Sequence, residues 1–315
     1  MNRKAVIFGI RGFSLSLKEK KLFKNIEPWG IILFSRNIKN IDQLKKLTNE
    51  IKKIFKDKKY PILIDQEGGS VSRLANIIDT RLFTNEYFGK LYNNDKHFFG
   101  YSYKIYINRI SELMKEVGIN INTVPVLDVK RENSHKIIGN RSFSKNPYIV
   151  RKIGNLWIES FSKNKIATVV KHIPGHGKTR VDSHNKLPVI KINKKELKKK
   201  DFLPFKSSKS IFAMTAHVKY NAYDPFFTAT HSKILINKII RKYMRFKGIL
   251  ISDDISMKSL KYGIKENSLK ALNAGCNIVL HCNANIKEMN QLSKIIPRID
   301  NFTKKKTSDF YNFLR

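Results

Sequence analysis

The chain has 315 residues, 41% of them hydrophobic, with 62 Lys and Arg against 25 Asp and Glu for a formal charge of +37. That length and apolar content are enough to bury a full core as one large domain or two small ones, which points to a soluble globular protein. No stretch approaches the roughly 18 continuous apolar residues of a spanning helix, and the two cysteines, Cys276 and Cys282, are too few for a disulfide scaffold.

The N-terminus, MNRKAVIFGIRGFS, is broken at Gly9, Arg11 and Gly12 before any small-residue cleavage site, so a cytoplasmic location without membrane insertion is expected. Both cysteines lie inside the apolar segment AGCNIVLHCN and are expected to be buried thiols. The positive charge is spread over every predicted helix (KEKKLFKNI, LKKLTNEIKKIFKDKK, KKELKKKDF) rather than gathered in one arm. A solvated basic surface is therefore expected; attraction to an acidic substrate, RNA or lipid is the other reading.

Short apolar, β-branched runs alternate with segments of helical spacing along the whole chain. In order they are AVIFGI (5–10), GIILFS (30–35), a helix over 40–55, PILID (61–65), a helix over 103–118, INTVPVLDV (121–129), IATVVKH (166–172), IFAMTAHV (211–218), a helix over 232–244, GILISDD (248–254), a helix over 266–275 stopped by Gly275, and NIVLHCN (277–283). Eight strand-then-helix units without strict alternation fit a single-domain α/β fold, a slightly irregular (β/α)8 barrel, with a basic C-terminal tail from about residue 297. An open doubly wound sheet is the second architecture. No linker separates two domains.

A barrel places its chemistry where strands end. Polar residues recur there: Asp65, Asp128, Lys171 with His172, His217, Asp253 with Asp254, and His281 with Asn283. Charge at the end of an apolar strand is costly unless paired or functional, so the recurrence is informative.

The longest polar loop, KHIPGHGKTRVDSHNKLP (171–188), follows the fifth run. A metal site would use His172, His176 and His184, but the glycines and proline prevent helical pairing of ligands and no Cys/His cluster is present, so neither metal nor cofactor is expected. Asp182 and His184 are two apart and share a face in extended backbone. The carboxylate can fix the tautomer of the imidazole, as a general acid/base requires; alone, this pair is a weak signal.

KHIPGHG with DSH and LP, together with LIDQEGGSVSRL (63–74), IGNRSF (138–143), MTAHV (214–218), ISDDISM (251–257) and AGCNIVLHCN (274–283), in this order, resembles glycoside hydrolase family 3 and in particular its single-domain bacterial β-N-acetylglucosaminidases of cell-wall recycling. The resemblance runs from about residue 5 to residue 285 and includes EPWGIILFSRNI (27–38). It implies that Asp253 is the nucleophile, with Asp254 the second choice, since adjacent residues of a strand face opposite ways. It makes His184 the acid/base and Asp182 its partner. Asp65, Arg73, Arg141, Lys171 and His172 match sugar-binding positions, with Asp65 accepting two hydroxyls in a fork. Glu67 is assigned a structural role. His176, Gly175 and Gly177 support a loop that is expected to bring His184 in when the site fills.

The implied reaction is a double displacement with retention. An imidazole in place of the usual second carboxylate suits a substrate that carries its own carboxylates. The implied substrate is N-acetylglucosamine β-linked to 1,6-anhydro-N-acetylmuramic acid, with or without peptide. The implied enzyme is a monomer with a small-molecule sugar or muropeptide as its partner, binding no specific nucleic acid. Lys178 and Arg180 depart from the acidic residue that follows GHG in many relatives, and the chain is too short for the second domain of many family 3 β-glucosidases. Rival readings are a family 3 β-glucosidase, a β-N-acetylglucosaminide phosphorylase, which would release a sugar 1-phosphate, and a non-catalytic binder of RNA or anionic polymer, which would show a salt-sensitive gel shift.

Overall fold

The computed structural model describes residues 2–131, 138–176 and 187–315. Its strands are β1 (Lys4–Gly9), β2 (Pro28–Leu33), β3 (Ile62–Ile64), β4 (Ile121–Asn122), β5 (Ala167–Ile173), β6 (Val189–Ile190), β7 (Phe212–Thr215), β8 (Lys219–Tyr220), β9 (Ile249–Asp254) and β10 (Ile278–His281). Eight of them close into a barrel in the order β1-β10-β9-β7-β5-β4-β3-β2, every pair parallel. Closure between β1 and β10 rules out the open doubly wound sheet. β6 and β8 form a separate parallel pair outside the barrel.

The helices are α1 (Leu17–Ile26), α2 (Ile41–Ile54), α3 (Asn85–Asn94), α4 (Lys96–Glu116), α5 (Pro147–Lys163), α6 (Lys194–Lys199), α7 (Ile264–Ala274), α8 (Ile286–Ile295) and α9 (Asn301–Phe313). Local sequence sets their ends. Ser16 and Glu19 form a reciprocal capping box at α1, Asn146 caps α5 ahead of Pro147, and Gly275 closes α7 at φ 117°. Between β7 and β9, Leu235–Tyr243 winds more widely, with π-type hydrogen bonds.

Two expectations need correction. The run INTVPVLDV pairs as a strand only over Ile121–Asn122; beyond it the chain keeps a single bridge, Val126 to Lys171. The segment from about residue 297 is no tail. It forms α9, whose Phe310 packs on Trp29 and Phe212, while Thr307 accepts the indole N–H of Trp29 at 2.9 Å. The basic residues of α9 face outward from this buried seam, as amphipathic spacing allows.

Two irregularities shape the rim. Between β5 and β7, Val170 pairs with Ala213 and Ile173 with Thr215. Between β9 and β10, Ile251 pairs with Ile278 and Asp254 with Leu280. In each case three steps on one strand oppose two on its neighbour, a bulge that re-aims side chains. The bulged residues are Lys171–His172 and Ser252–Asp253. No helix among the described residues is long and apolar enough to cross a membrane.

Candidate active site

The C-terminal rim of the barrel encloses a cavity of about 190 Å³ lined by Asp65, Arg73, Arg141, Lys171, His172 and Asp253, with His176 and Asp254 beside them. That is below the roughly 300–1,000 Å³ of drug-sized sites, so the cavity suits a single ring rather than an oligosaccharide. Apolar walls come from Ile32, Phe34, Val71, Met214, Met257 and Leu280.

Asp65, just past β3, is the most heavily paired carboxylate. Its Oδ1 accepts from Thr123 Oγ1 at 2.7 Å and from the Lys171 ammonium, and its Oδ2 accepts from Arg73 Nη2 at 2.9 Å. Burial pushes its pKa up, but Lys171 and Arg73 override burial and hold it well below the carboxylate range. Three of about four lone-pair sites are used, so Asp65 offers a substrate hydroxyl one open acceptor rather than the expected fork.

Lys171, 2% exposed, also reaches Glu67 Oε1 at 2.6 Å. Glu67 in turn receives Arg141 Nε and Nη2, each at 2.8 Å, in a bidentate pair. Burial raises the Glu67 pKa and these two cations more than reverse it. Glu67 therefore aims two of the expected sugar contacts. Gly68 (φ 95°) and Gly69 (φ 61°) let its loop turn, and a Cβ on Gly68 would lie 2.3 Å from the Phe83 carbonyl.

Asp128, fully buried, gathers the base of the long loop. It binds His172 Nδ1 at 2.7 Å and accepts the His176 N–H at 2.6 Å. The Asp128 carboxylate only accepts, so it fixes the His172 tautomer with the proton on Nδ1 and leaves Nε2 of the neutral ring an acceptor. Gly175 (φ 132°) has its carbonyl bonded to the Tyr220 hydroxyl, and burial lowers the His176 pKa to about 4. β6, paired with β8 next to Tyr220, receives the chain after the loop. Gly177, Asp182 and His184 lie outside the described residues.

Asp253 and Asp254 close β9 at its bulge, and both residues line the cavity. Burial pushes the Asp253 pKa up, but His217, His172, the Asp254 N–H and Lys171 outweigh it and keep the pKa below the usual range. An ionised carboxylate in a partly apolar cavity is suited to attack an electrophilic carbon.

Several rim residues do other work. His281 binds Glu288 at 2.7 Å, and Asn283 donates to the same carboxylate at 2.8 Å, fixing the start of α8. His217 bonds Thr230 Oγ1 at 2.7 Å and the Asp254 carbonyl at 2.9 Å. Thr123 and Asp128 are site residues that the strand-end reasoning left without a role; the buried partner each one binds has no signature in a linear sequence. No group of three or more His, Cys, Asp or Glu that could hold a metal occurs among the described residues.

The glycosyl hydrolase family 3 N-terminal domain matches residues 9–307. A β-hexosaminidase from Neisseria gonorrhoeae (strain ATCC 700825 / FA 1090) is 36% identical over 287 residues, spanning 89% of this chain and 78% of that protein. One from Alkalilimnicola ehrlichii is 33% identical over 292 residues, spanning 88% and 80%. The crystal structure of NagZ from N. gonorrhoeae in complex with N-trifluoroacetyl-D-glucosamine superposes with a TM-score of 0.85 at 32% identity, covering 100% of this chain and 91% of that one.

Proposed function

This chain belongs to glycosyl hydrolase family 3, and we propose that it removes terminal β-linked N-acetylglucosamine by a retaining, double-displacement mechanism. The single observation that carries the reading is Asp253, held ionised in a one-ring cavity and faced by the Asp65, Arg73 and Lys171 network.

The sugar binds with hydroxyls at the open Oδ2 site of Asp65, at the Arg73 donors and at the Nε2 acceptor of His172, beside the Lys171 ammonium, whose three N–H groups go to Asp65, Glu67 and Thr123. Asp253 attacks the anomeric carbon as the glycosidic C–O bond breaks, giving a glycosyl-aspartate. His184, oriented by Asp182, protonates the departing oxygen; it then takes a proton from water as the water oxygen displaces Asp253. Two inversions leave the β configuration. Arg141, locked onto Glu67, supplies fixed positive charge close to the carboxylates.

The substrate class assigned is a disaccharide or muropeptide with N-acetylglucosamine on 1,6-anhydro-N-acetylmuramic acid, processed during peptidoglycan recycling in the cytoplasm by a monomer. Residues 1–315 act as one catalytic barrel. The +37 surface favours such anionic substrates.

Proton NMR of the first-formed sugar tests the mechanism. The β anomer of N-acetylglucosamine, appearing before mutarotation, is the expected product. First-formed α anomer would exclude the double displacement, and a sugar 1-phosphate in phosphate buffer would make the enzyme a phosphorylase.

A further inference from the structure

We propose that Asp254 is the positioning residue of the nucleophile: with its own atoms held by Ser256, Cys282 and His217, it presents the backbone N–H that grips Oδ1 of Asp253. The inference rests on the reading of Asp253 as the nucleophile and explains why two adjacent carboxylates at the same cavity wall have different jobs.

Both residues line the cavity, so their position in the wall alone does not distinguish the pair. Their hydrogen bonds do. Asp254 Oδ1 accepts from Ser256 N at 3.0 Å, Ser256 Oγ at 2.8 Å and Cys282 N at 3.1 Å, and its Oδ2 shares the Ser256 hydroxyl at 2.8 Å. A carboxylate whose lone pairs are so filled is less free to form a new bond. Asp253 Oδ1 accepts one donor, the Asp254 N–H at 2.8 Å, and no described residue donates to its Oδ2. That oxygen is the one left to attack.

The backbone of Asp254 is tied from behind. A carbonyl only accepts, so His217 Nε2 donates to Asp254 O at 2.9 Å, and Nδ1 accepts from Thr230 Oγ1 at 2.7 Å. His217 is fully buried, and burial lowers its pKa, which favours this neutral tautomer. On the other side, the Ile255 N–H binds Leu280 O at 2.9 Å, and Arg36 donates to Cys282 O at 2.5 Å and to Ile10 O at 2.9 Å. The peptide that follows the gripping N–H is thereby tied to β10 and to the segment just past β7, while Arg36 ties Cys282 to the end of β1.

The test compares wild type with Asp253→Ala, Asp254→Ala, Asp254→Asn and Ser256→Ala on 4-nitrophenyl β-N-acetylglucosaminide, with and without sodium azide. In Asp253→Ala, azide can occupy the space of the missing carboxylate and form a C–N bond as the aryloxide leaves, so restored turnover with an α-glycosyl azide as product is expected. Asp254→Ala should lose on the order of 10- to 100-fold in kcat, the scale of a misplaced reacting group, with KM little changed and no azide response. Asp254→Asn, which keeps an acceptor oxygen for the Cys282 and Ser256 N–H groups, should recover most of that loss, and Ser256→Ala should show a smaller kcat loss of the same kind. Wild-type kcat in Asp254→Ala, or in Ser256→Ala should Asp254→Ala not fold, overturns the positioning role and leaves Asp253 as nucleophile. Azide rescue of Asp254→Ala but not of Asp253→Ala exchanges the two roles and overturns both readings.

Discussion

Arg141 grips Glu67 through two parallel hydrogen bonds, Nε to Oε2 and Nη2 to Oε1, both 2.8 Å. Glu67 is 3% exposed and also holds the Lys171 ammonium, so one buried carboxylate sets the direction of two cations at the cavity.

Removing that carboxylate leaves two buried cations short of a partner. Glu67→Ala is expected to destabilise the protein by about 3–5 kcal/mol, the usual cost of breaking a buried pair. A urea unfolding curve checks it. A midpoint equal to wild type would show that Arg141 and Lys171 are held by other means.

Gly175→Ala should disturb the base of the acid/base loop. Its φ of 132° disfavours a side chain, and the new Cβ would lie 2.6 Å from the Asp201 carbonyl. A destabilisation of roughly 1–3 kcal/mol is expected, along with a drop in kcat/KM as the bond from His176 N to Asp128 shifts. Unchanged melting temperature and unchanged kcat/KM would contradict this.

Buried histidines should set the acid limb of stability. Burial lowers His176 and His231 from 6.5 to about 4, and His217 is lowered too. Below pH 6.5 the unfolded chain takes up protons that the folded state refuses until about pH 4, so stability falls as the pH drops through that window. His231 lies away from the cavity, with Nε2 on the Asn267 carbonyl at 3.1 Å. His231→Gln should flatten the slope of unfolding free energy against pH by about one proton; an unchanged slope would mean that His231 titrates normally.

Much of the architecture was legible. Seven of the eight apolar runs coincide with barrel strands to within two residues at their starts and a few at their ends, because strands buried on both faces leave continuous Val and Ile runs. The eighth, INTVPVLDV, loses its ladder after Asn122, where Pro125 has no N–H to give. Helices α3, α5, α8 and α9 went unread. The residues brought to one cavity were also legible as strand ends, from Asp65 to Asp253. Their partnerships were not. Alternation predicts opposite faces for Asp253 and Asp254, and a bulge is a property of two strands together that one strand's pattern does not carry. Likewise the link from Glu67 to Arg141 joins residues 74 positions apart.

Hydrolysis of an aryl β-N-acetylglucosaminide by wild type, Asp253→Ala and His184→Ala tests whether Asp253 is the nucleophile and His184 the acid/base. Asp253→Ala is expected to retain less than roughly a thousandth of wild-type kcat, and His184→Ala to release a burst of aryloxide followed by slow turnover, because an activated leaving group needs little acid assistance while water still needs a base. Wild-type rates in both variants would contradict both assignments.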